Sequence, residues 1–366
     1  MSEIKGRIID ELPSLLRSLY SDCGYSHYRT VGFEEYDLFS EYRDFLTSGQ
    51  MITFTGAGGR LLALKPDITM SIIRDAAEET GRTDKFFYSE SVYRVPAGGD
   101  EFKEILQIGL ECIGDLCGYD RAEVVSLACR TLAKTGRDYM LDLSHTGLVS
   151  GLFELLGIPE ELKGDFADAL KDKNAPMIDL ICKNEGLDPE IGKKLVDYSR
   201  LSLPIKDAAA TLRKLGFNSN AKSAKALEML ELIANTLTDE EAGHVMLDFS
   251  VIHGMNYYDG TVFSGYIEGV SEALLKGGEY GKLMKKMGRS GSGLGFALYT
   301  DLLERLDDGE TSFAADVLLV CGDSSPDEIA KAVKKLRESG KTVLVQKSAA
   351  GAERCAETIM LGGAEV

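Results

Sequence analysis

Three sets of residues in this chain could do chemistry by type, and their spacing decides what to expect of each. Seven cysteines stand at positions 23, 112, 117, 129, 182, 321 and 355. The number is odd, no Cys-x-x-Cys pair occurs, and the closest two, Cys112 and Cys117, have no histidine beside them. Neither a zinc site nor a disulfide framework is expected; free buried thiols in a reducing cytosol fit better. The four histidines, at 27, 145, 244 and 253, also lack metal-ligand spacing, so no metal is expected. Residues Gly288 to Gly295, GRSGSGLG, have the composition of a phosphate cradle. They lack the Lys-Ser/Thr ending of a P-loop, and a flexible turn before the last strand and helix is the expectation. None of these sets implies a cofactor.

The bulk properties narrow the partners. The chain has 366 residues with 44% hydrophobic content, enough for one large domain and a small one, with a proper core. Its 41 basic and 59 acidic residues give a formal net charge of −18. Such a chain repels a phosphate backbone, because nucleic-acid affinity needs Lys and Arg to displace counterions, so tRNA is not an expected partner. The N-terminus, MSEIKGRIIDELPSLL, reads as an amphipathic helix rather than a signal peptide. No apolar run approaches the about 18 residues that span a bilayer, so a soluble cytoplasmic protein with no membrane contact is expected.

Elements follow from periodicity. Ile4 to Tyr20 has helical spacing, with Ile8, Ile9, Leu12, Leu15, Leu16 and Leu19 on one face. Strands are expected at Tyr28 to Val31, Met51 to Thr55 and Arg60 to Leu64. A helix runs from Thr69, its expected cap, through Arg74, because Pro66 blocks an earlier start. Phe86 to Tyr93 and Glu104 to Cys112 read as two strands joined by Pro96-Ala97-Gly98-Gly99-Asp100. A helix near Asp120 to Thr135 and a strand at Tyr139 to Ser144 come next. From about Leu148 to Leu237 the pattern is helical, and strands return at Val245 to Phe249 and Thr261 to Tyr266. The C-terminus reads as βαβ: Val317 to Cys321, a helix capped by Ser325 and stopped at Gly340, then Thr342 to Gln346.

Four blocks, in this order, resemble the catalytic domain of histidyl-tRNA synthetase. They are Glu34-Glu35-Tyr36-Asp37-Leu38-Phe39, then Leu64-Lys65-Pro66-Asp67-Ile68-Thr69, then Val92-Tyr93-Arg94 with Gln107-Ile108-Gly109-Leu110-Glu111. The last is His253-Gly254-Met255-Asn256-Tyr257-Tyr258-Asp259-Gly260, with Gly277-Gly278-Glu279-Tyr280 and Gly295-Phe296-Ala297 following. The resemblance implies an α+β fold of the class II aminoacyl-tRNA synthetase type, an antiparallel sheet flanked by helices. It implies a synthetase-like domain over residues 1–312, with a helical insertion at about 148–240. Residues 313–366 resemble part of an anticodon-binding domain. A homodimeric core is also implied.

By the same resemblance, Asp67, Thr69, Gln107 and Glu111 sit where the family holds an α-ammonium group, a cation that must be paired if buried. Tyr257 and Tyr258 would wall an imidazole, and Arg94 keeps the place of a nucleotide-binding arginine. The resemblance thus implies a histidine-like pocket. Other nucleotide-binding positions have changed. Leu302 stands where the third motif has arginine, and Arg305, about one turn on, does not substitute. His253 replaces a second arginine. Glu279 and Gly281 replace the Arg and Asp of Gly-Gly-Arg-Tyr-Asp, which is expected to set an acid among phosphates. Ala97-Gly98-Gly99-Asp100-Glu101 has no basic residue. Each preorganised donor of this kind is worth about 10²–10³ in rate, so aminoacylation and catalytic residues are not expected.

That combination resembles the regulatory subunits of ATP phosphoribosyltransferase, the first enzyme of histidine biosynthesis. It implies assembly with, and activation of, a short-form ATP phosphoribosyltransferase catalytic subunit, with histidine as a feedback ligand. A divergent histidyl-tRNA synthetase and a stand-alone amino-acid-binding paralogue are the alternatives.

Overall fold

The computed structural model describes residues 8–46, 50–77, 79, 81–95, 100–252, 257–306, 315–350 and 352–362. The chain divides into a large unit, Leu12–Leu306, and a second unit made of Met1–Glu11 with Asp307–Val366.

Helix α1 (Ile8–Asp22), in the large unit from Leu12 on, leads through β1 (Ser26–His27) to β2 (Phe33–Glu35), α2 (Tyr36–Ser40), β3 (Thr53–Thr55), β4 (Leu61–Leu64) and α3 (Thr69–Asp75). Two long strands, β5 (Thr83–Arg94) and β6 (Lys103–Gly114), precede α4 (Gly118–Ala133) and β7 (Tyr139–His145). A run of helices follows: α5 (Thr146–Leu156), α6 (Lys163–Lys171), α7 (Ala175–Asn184), α8 (Pro189–Ser199), a short β8 (Ser202–Pro204), α9 (Ile205–Lys214), α10 (Ala221–Thr236) and α11 (Asp239–Gly243). The unit closes with β9 (Val245–Asp248), β10 (Thr261–Ile267), β11 (Leu275–Glu279), α12 (Gly281–Lys286) and β12 (Ser292–Tyr299).

Nine strands make one sheet in the order β1-β5-β6-β12-β11-β10-β7-β9-β8. Neighbours run antiparallel except β1 with β5 and β7 with β9. The fold is therefore the mixed α+β type expected, with helices packed against a mostly antiparallel sheet. A small antiparallel sheet, β2-β4-β3, stands apart from it. The helical run is not purely helical, since β8 within it adds an edge strand beside β9.

Period-2 alternation gives the large sheet two distinct faces. Residues paired across strands share a face, and one row is Phe86–Glu111–Gly295–Gly278–Val262. The adjacent row, on the other face, is Lys85–Cys112–Leu294–Glu279. The first face carries polar groups. The second is largely core, with Leu110, Cys112, Leu294, Phe296 and Phe263 all at most 2% exposed. Tyr20 of α1 packs edge-on to Phe296 there, and Leu12, Leu16 and Leu19 are buried as their spacing requires, while Leu15 is 40% exposed.

Several expectations need correction. Tyr28 to Val31 is not a strand: pairing with β5 stops at His27, apart from one bond from the Tyr28 N–H to the Phe87 carbonyl. Thr69 does not cap α3; the Asp67 carboxylate does, accepting the Met70 N–H at 2.9 Å. The run Gly288 to Gly295 is only half a turn, because Ser292–Tyr299 is an internal strand paired on both sides. Not all thiols are buried: Cys117 is exposed and Cys23 intermediate, though all seven are free. The loop at Pro96 to Gly99 lies outside the described residues.

In the second unit, β13 (Ala315–Val320), α13 (Pro326–Glu338) and β14 (Val343–Gln346) form the βαβ motif, with β13 and β14 parallel. Ser325 caps α13 in a reciprocal box with Glu328. A further strand, β15 (Cys355–Met360), lies parallel to β13 on its other side and was not expected from the sequence. Among the described residues no helix is long and apolar enough to cross a membrane.

Candidate functional site: a carboxylate pocket on one face of the sheet

The polar face of the sheet is built by side chains of β5, β6 and β12, with α3 and the Tyr257–Tyr258 segment set against it. Glu111, on β6, is 2% exposed and both its oxygens are engaged. The Thr69 hydroxyl donates to Oε1 at 2.7 Å and the Tyr280 hydroxyl to Oε2 at 2.5 Å. Backbone makes the space for it: a Cβ on Gly295, directly opposite, would sit 1.8 Å from Oε2. Burial pushes the Glu111 carboxyl up to about 8, against the pull of its two hydroxyl donors.

Asp67 lies where the chain enters α3. Burial raises its pKa, while the Met70 N–H, the Arg94 charge and the Thr69 N–H oppose that shift. Arg94, at the end of β5, is 8% exposed and its guanidinium stands 5.4 Å from the Tyr299 ring centre. Gln107 is 5% exposed and paired with Glu90 on one side and Tyr299 on the other, which puts it on the same face as Glu111. Tyr257 and Tyr258 meet edge to face at 4.7 Å, and Tyr257 reaches the Tyr280 ring at 5.9 Å. Gly278 gives Tyr258 its place, since a Cβ there would lie 2.6 Å from the ring. Burial raises both hydroxyls far above the ordinary tyrosine value, with the nearby Asp67 and Glu111 charges adding to it.

The structure thus brings Asp67, Thr69, Glu111, Tyr257 and Tyr258 to one corner, with Arg94 and Gln107 along the same face. Three further residues belong with them. Tyr280 holds Glu111; its only sequence signal was its place after Gly277-Gly278-Glu279. Tyr299 underlies Arg94, and alternation from Gly295 and Ala297 would have found it. Lys65, fully buried, pairs with Glu90 at 3.1 Å and adds positive charge near Asp67. Chemically the corner offers carboxyl, hydroxyl and guanidinium groups beside aromatic walls, which suits a small zwitterion carrying a ring.

The changed positions behave differently from one another. Glu279 was expected to place an acid among phosphates, and it does not. It is one residue on from Gly278, so it points to the opposite face, in the row of Leu294 and Cys112. There Arg121 of α4 grips it, with Nε 3.1 Å from both oxygens and Nη2 2.6 Å from Oε1. The Ser292 hydroxyl adds a bond at 2.9 Å. Gly281 donates its N–H to Asp259 at 2.8 Å, opening α12. Leu302 is 5% exposed and packs into the core. His253 lies outside the described residues. His145 caps α5, its Nδ1 accepting the Gly147 N–H at 3.0 Å, and burial drives its pKa down to about 4.

Comparison with known proteins gives the chain's family. The histidyl-tRNA synthetase family matches residues 4–303. A protein of Carboxydothermus hydrogenoformans named ATP phosphoribosyltransferase regulatory subunit is 30% identical over 296 residues, covering 78% of this chain and 88% of that protein. Among solved structures, an ATP phosphoribosyltransferase regulatory subunit/histidyl-tRNA synthetase from Bacillus halodurans superposes with a TM-score of 0.78 at 22% identity, covering 100% of this chain and 97% of that one. A chain of the ATP phosphoribosyl transferase complex from Thermotoga maritima gives a TM-score of 0.62 at 18% identity, covering 80% of this chain and 97% of that one. The chain belongs to the histidyl-tRNA synthetase family, among the relatives named ATP phosphoribosyltransferase regulatory subunit.

Proposed function

We propose that this chain is the regulatory subunit of a short-form ATP phosphoribosyltransferase, assembling with and activating the catalytic subunit in the first step of histidine biosynthesis. In this reading the chain itself performs no chemistry. It binds histidine at the Asp67–Thr69–Glu111 corner and relays that binding to the partner as feedback. The observation that carries the reading is the contrast between a corner that gathers carboxyl, hydroxyl and guanidinium groups and a third motif whose arginine position is Leu302, packed into the core. A site that keeps groups for an amino acid but lacks that donor for a pentavalent phosphate can bind without reacting.

Histidine would place its ammonium toward Asp67, its carboxylate toward Arg94 and its ring between Tyr257, Tyr258 and Glu111. The relay is then a coupling free energy between pocket and interface, typically about 1–3 kcal/mol. A homodimeric core, a cytoplasmic location and independence of tRNA belong to the same reading, the last supported by the net charge of −18. Residues 313–366 would be a reduced anticodon-binding-type domain kept for assembly.

The test is to mix the chain with the short-form catalytic subunit of the same genome. A single heteromeric species in gel filtration is expected, with no histidine-dependent ATP–pyrophosphate exchange by the chain alone. Exchange above background would instead establish a divergent synthetase, an outcome that the turned-away Glu279 leaves open.

A further inference from the structure

A cavity of about 210 Å³ opens beside the candidate pocket, where α3 and α12 flank the ends of β6 and β12. Its floor is aliphatic: Ile73, Ala76, Ile113 and Met284, each at most 7% exposed. Its lining also carries one cation, Arg289, and two acids, Glu79 and Asp115. Arg289 donates to the Arg74 carbonyl, and its charge also acts on Asp75. The volume lies below the about 300–1,000 Å³ of pockets for drug-sized ligands, which limits any occupant to a small molecule. An aliphatic floor with a cation on the lining and two acids to meet an ammonium matches a small zwitterion with a branched apolar body.

We propose that this cavity is a second small-molecule site, taking a free α-amino acid with an aliphatic side chain. The carboxylate meets Arg289, the ammonium meets the acids Asp115 and Glu79, and the side chain enters among Ile73, Ala76, Ile113 and Met284. The site is contiguous with the candidate pocket. Ile113 is two residues from Glu111 on the same face of β6, and the Met284 N–H bonds the Tyr280 carbonyl at 3.2 Å. The Tyr280 hydroxyl holds Glu111, so occupancy of the cavity bears on the carboxyl that lines the pocket. Only this last link rests on the regulatory reading; binding in the cavity does not.

The test uses the full chain with methyl-labelled methionine, the Met284 signal being assigned by substitution. L-leucine is the probe, with 4-methylpentanoate and isoamylamine as its carboxylate-only and amine-only counterparts. A saturable shift of the Met284 methyl is expected at about 10 mM L-leucine, enough to fill a site with Kd near 1 mM. Each single-charge analogue is expected to bind at least tenfold more weakly. The shift is lost in Ala76→Leu, which fills the cavity, and weakened about tenfold in Arg289→Gln, a partly exposed change that tests the idea if the first variant misfolds. It survives Asp67→Asn, which disables the candidate pocket. No shift in the folded wild type, equal binding of an analogue, or a shift that survives Ala76→Leu but not Asp67→Asn would overturn the proposal. Histidine binding at Glu111 is read separately, so failure here is distinguishable from failure of the regulatory reading.

Discussion

Two buried carboxylates in this protein, Glu111 and Glu279, sit two strands apart in one sheet, on opposite faces, and do opposite jobs. Glu111 shares the row of Gly295 and Gly278, and Glu279 the next row, one residue away. Glu111 is held by two neutral hydroxyls, and burial lifts it to about 8. Glu279 is held by a guanidinium and a serine hydroxyl. The first faces the corner proposed to hold a ligand; the second fastens α4 to the sheet. An acid's residue type says little until its strand parity is known.

That contrast can be broken in graded ways. The largest effect is expected from Arg121→Met, which strands Glu279 at 8% exposure without its cation. Breaking a buried pair from one side typically costs about 3–5 kcal/mol, so chemical denaturation should show a loss of that order. The double variant Arg121→Met with Glu279→Gln should recover much of it, and a double variant as weak as the single would show that the pair is not the cause.

A second contrast concerns ligand binding. Glu111→Gln should weaken histidine binding by at least tenfold, about 1.4 kcal/mol, in calorimetry. Glu279→Gln should leave it within about twofold, since its face is turned away. Equal losses in the two variants would mean that the faces are not separate.

The third is a pH dependence. The Glu111 carboxyl rises from 4.5 to about 8, so the folded chain holds this proton more tightly than the unfolded one. Its contribution to stability is full below about 4.5 and is lost as pH climbs toward about 8. Asp142, raised to about 6 mainly by burial, acts in the same direction over a lower window. The difference between wild type and Glu111→Gln, rather than the raw slope, therefore isolates Glu111. The urea midpoint of wild type should fall more between pH 5 and pH 8.5 than that of Glu111→Gln, and parallel curves would count against the shift.

The smallest effect is Tyr280→Phe. It removes one hydrogen bond to Glu111, worth about 1 kcal/mol, and should push the Glu111 titration higher, because that hydroxyl lowers its pKa. A nuclear magnetic resonance titration of the Glu111 carboxyl would read the direction.

The pocket corner was legible from sequence because its members lie in ordered blocks. Asp67 and Thr69 come from one such block and Glu111 from another, and their meeting follows once the blocks are recognised. Glu279 was misread for a physical reason. Its face depends on where β11 begins and on the parity set by Gly278, and glycines carry no hydrophobic alternation to reveal either. Its partner Arg121 is 158 positions away, with no local signal pointing to it. The other misses share this character. Strand β15 reads CAETIM, where polar and apolar residues do not alternate cleanly, and it pairs in parallel with a strand distant in sequence. Tyr28 to Val31 has the composition of a strand, yet β1 ends just before it. Thr69 looked like a cap by type, but its hydroxyl is drawn to Glu111 and Asp67 takes that role.

The most direct test of the regulatory reading is the rate of phosphoribosyl-ATP formation by the short-form catalytic subunit, measured as this chain is titrated in. A saturable rise that L-histidine reverses in wild type, and reverses only weakly in Glu111→Gln, is expected. A rate that stays flat once a complex with the catalytic subunit has formed would contradict it.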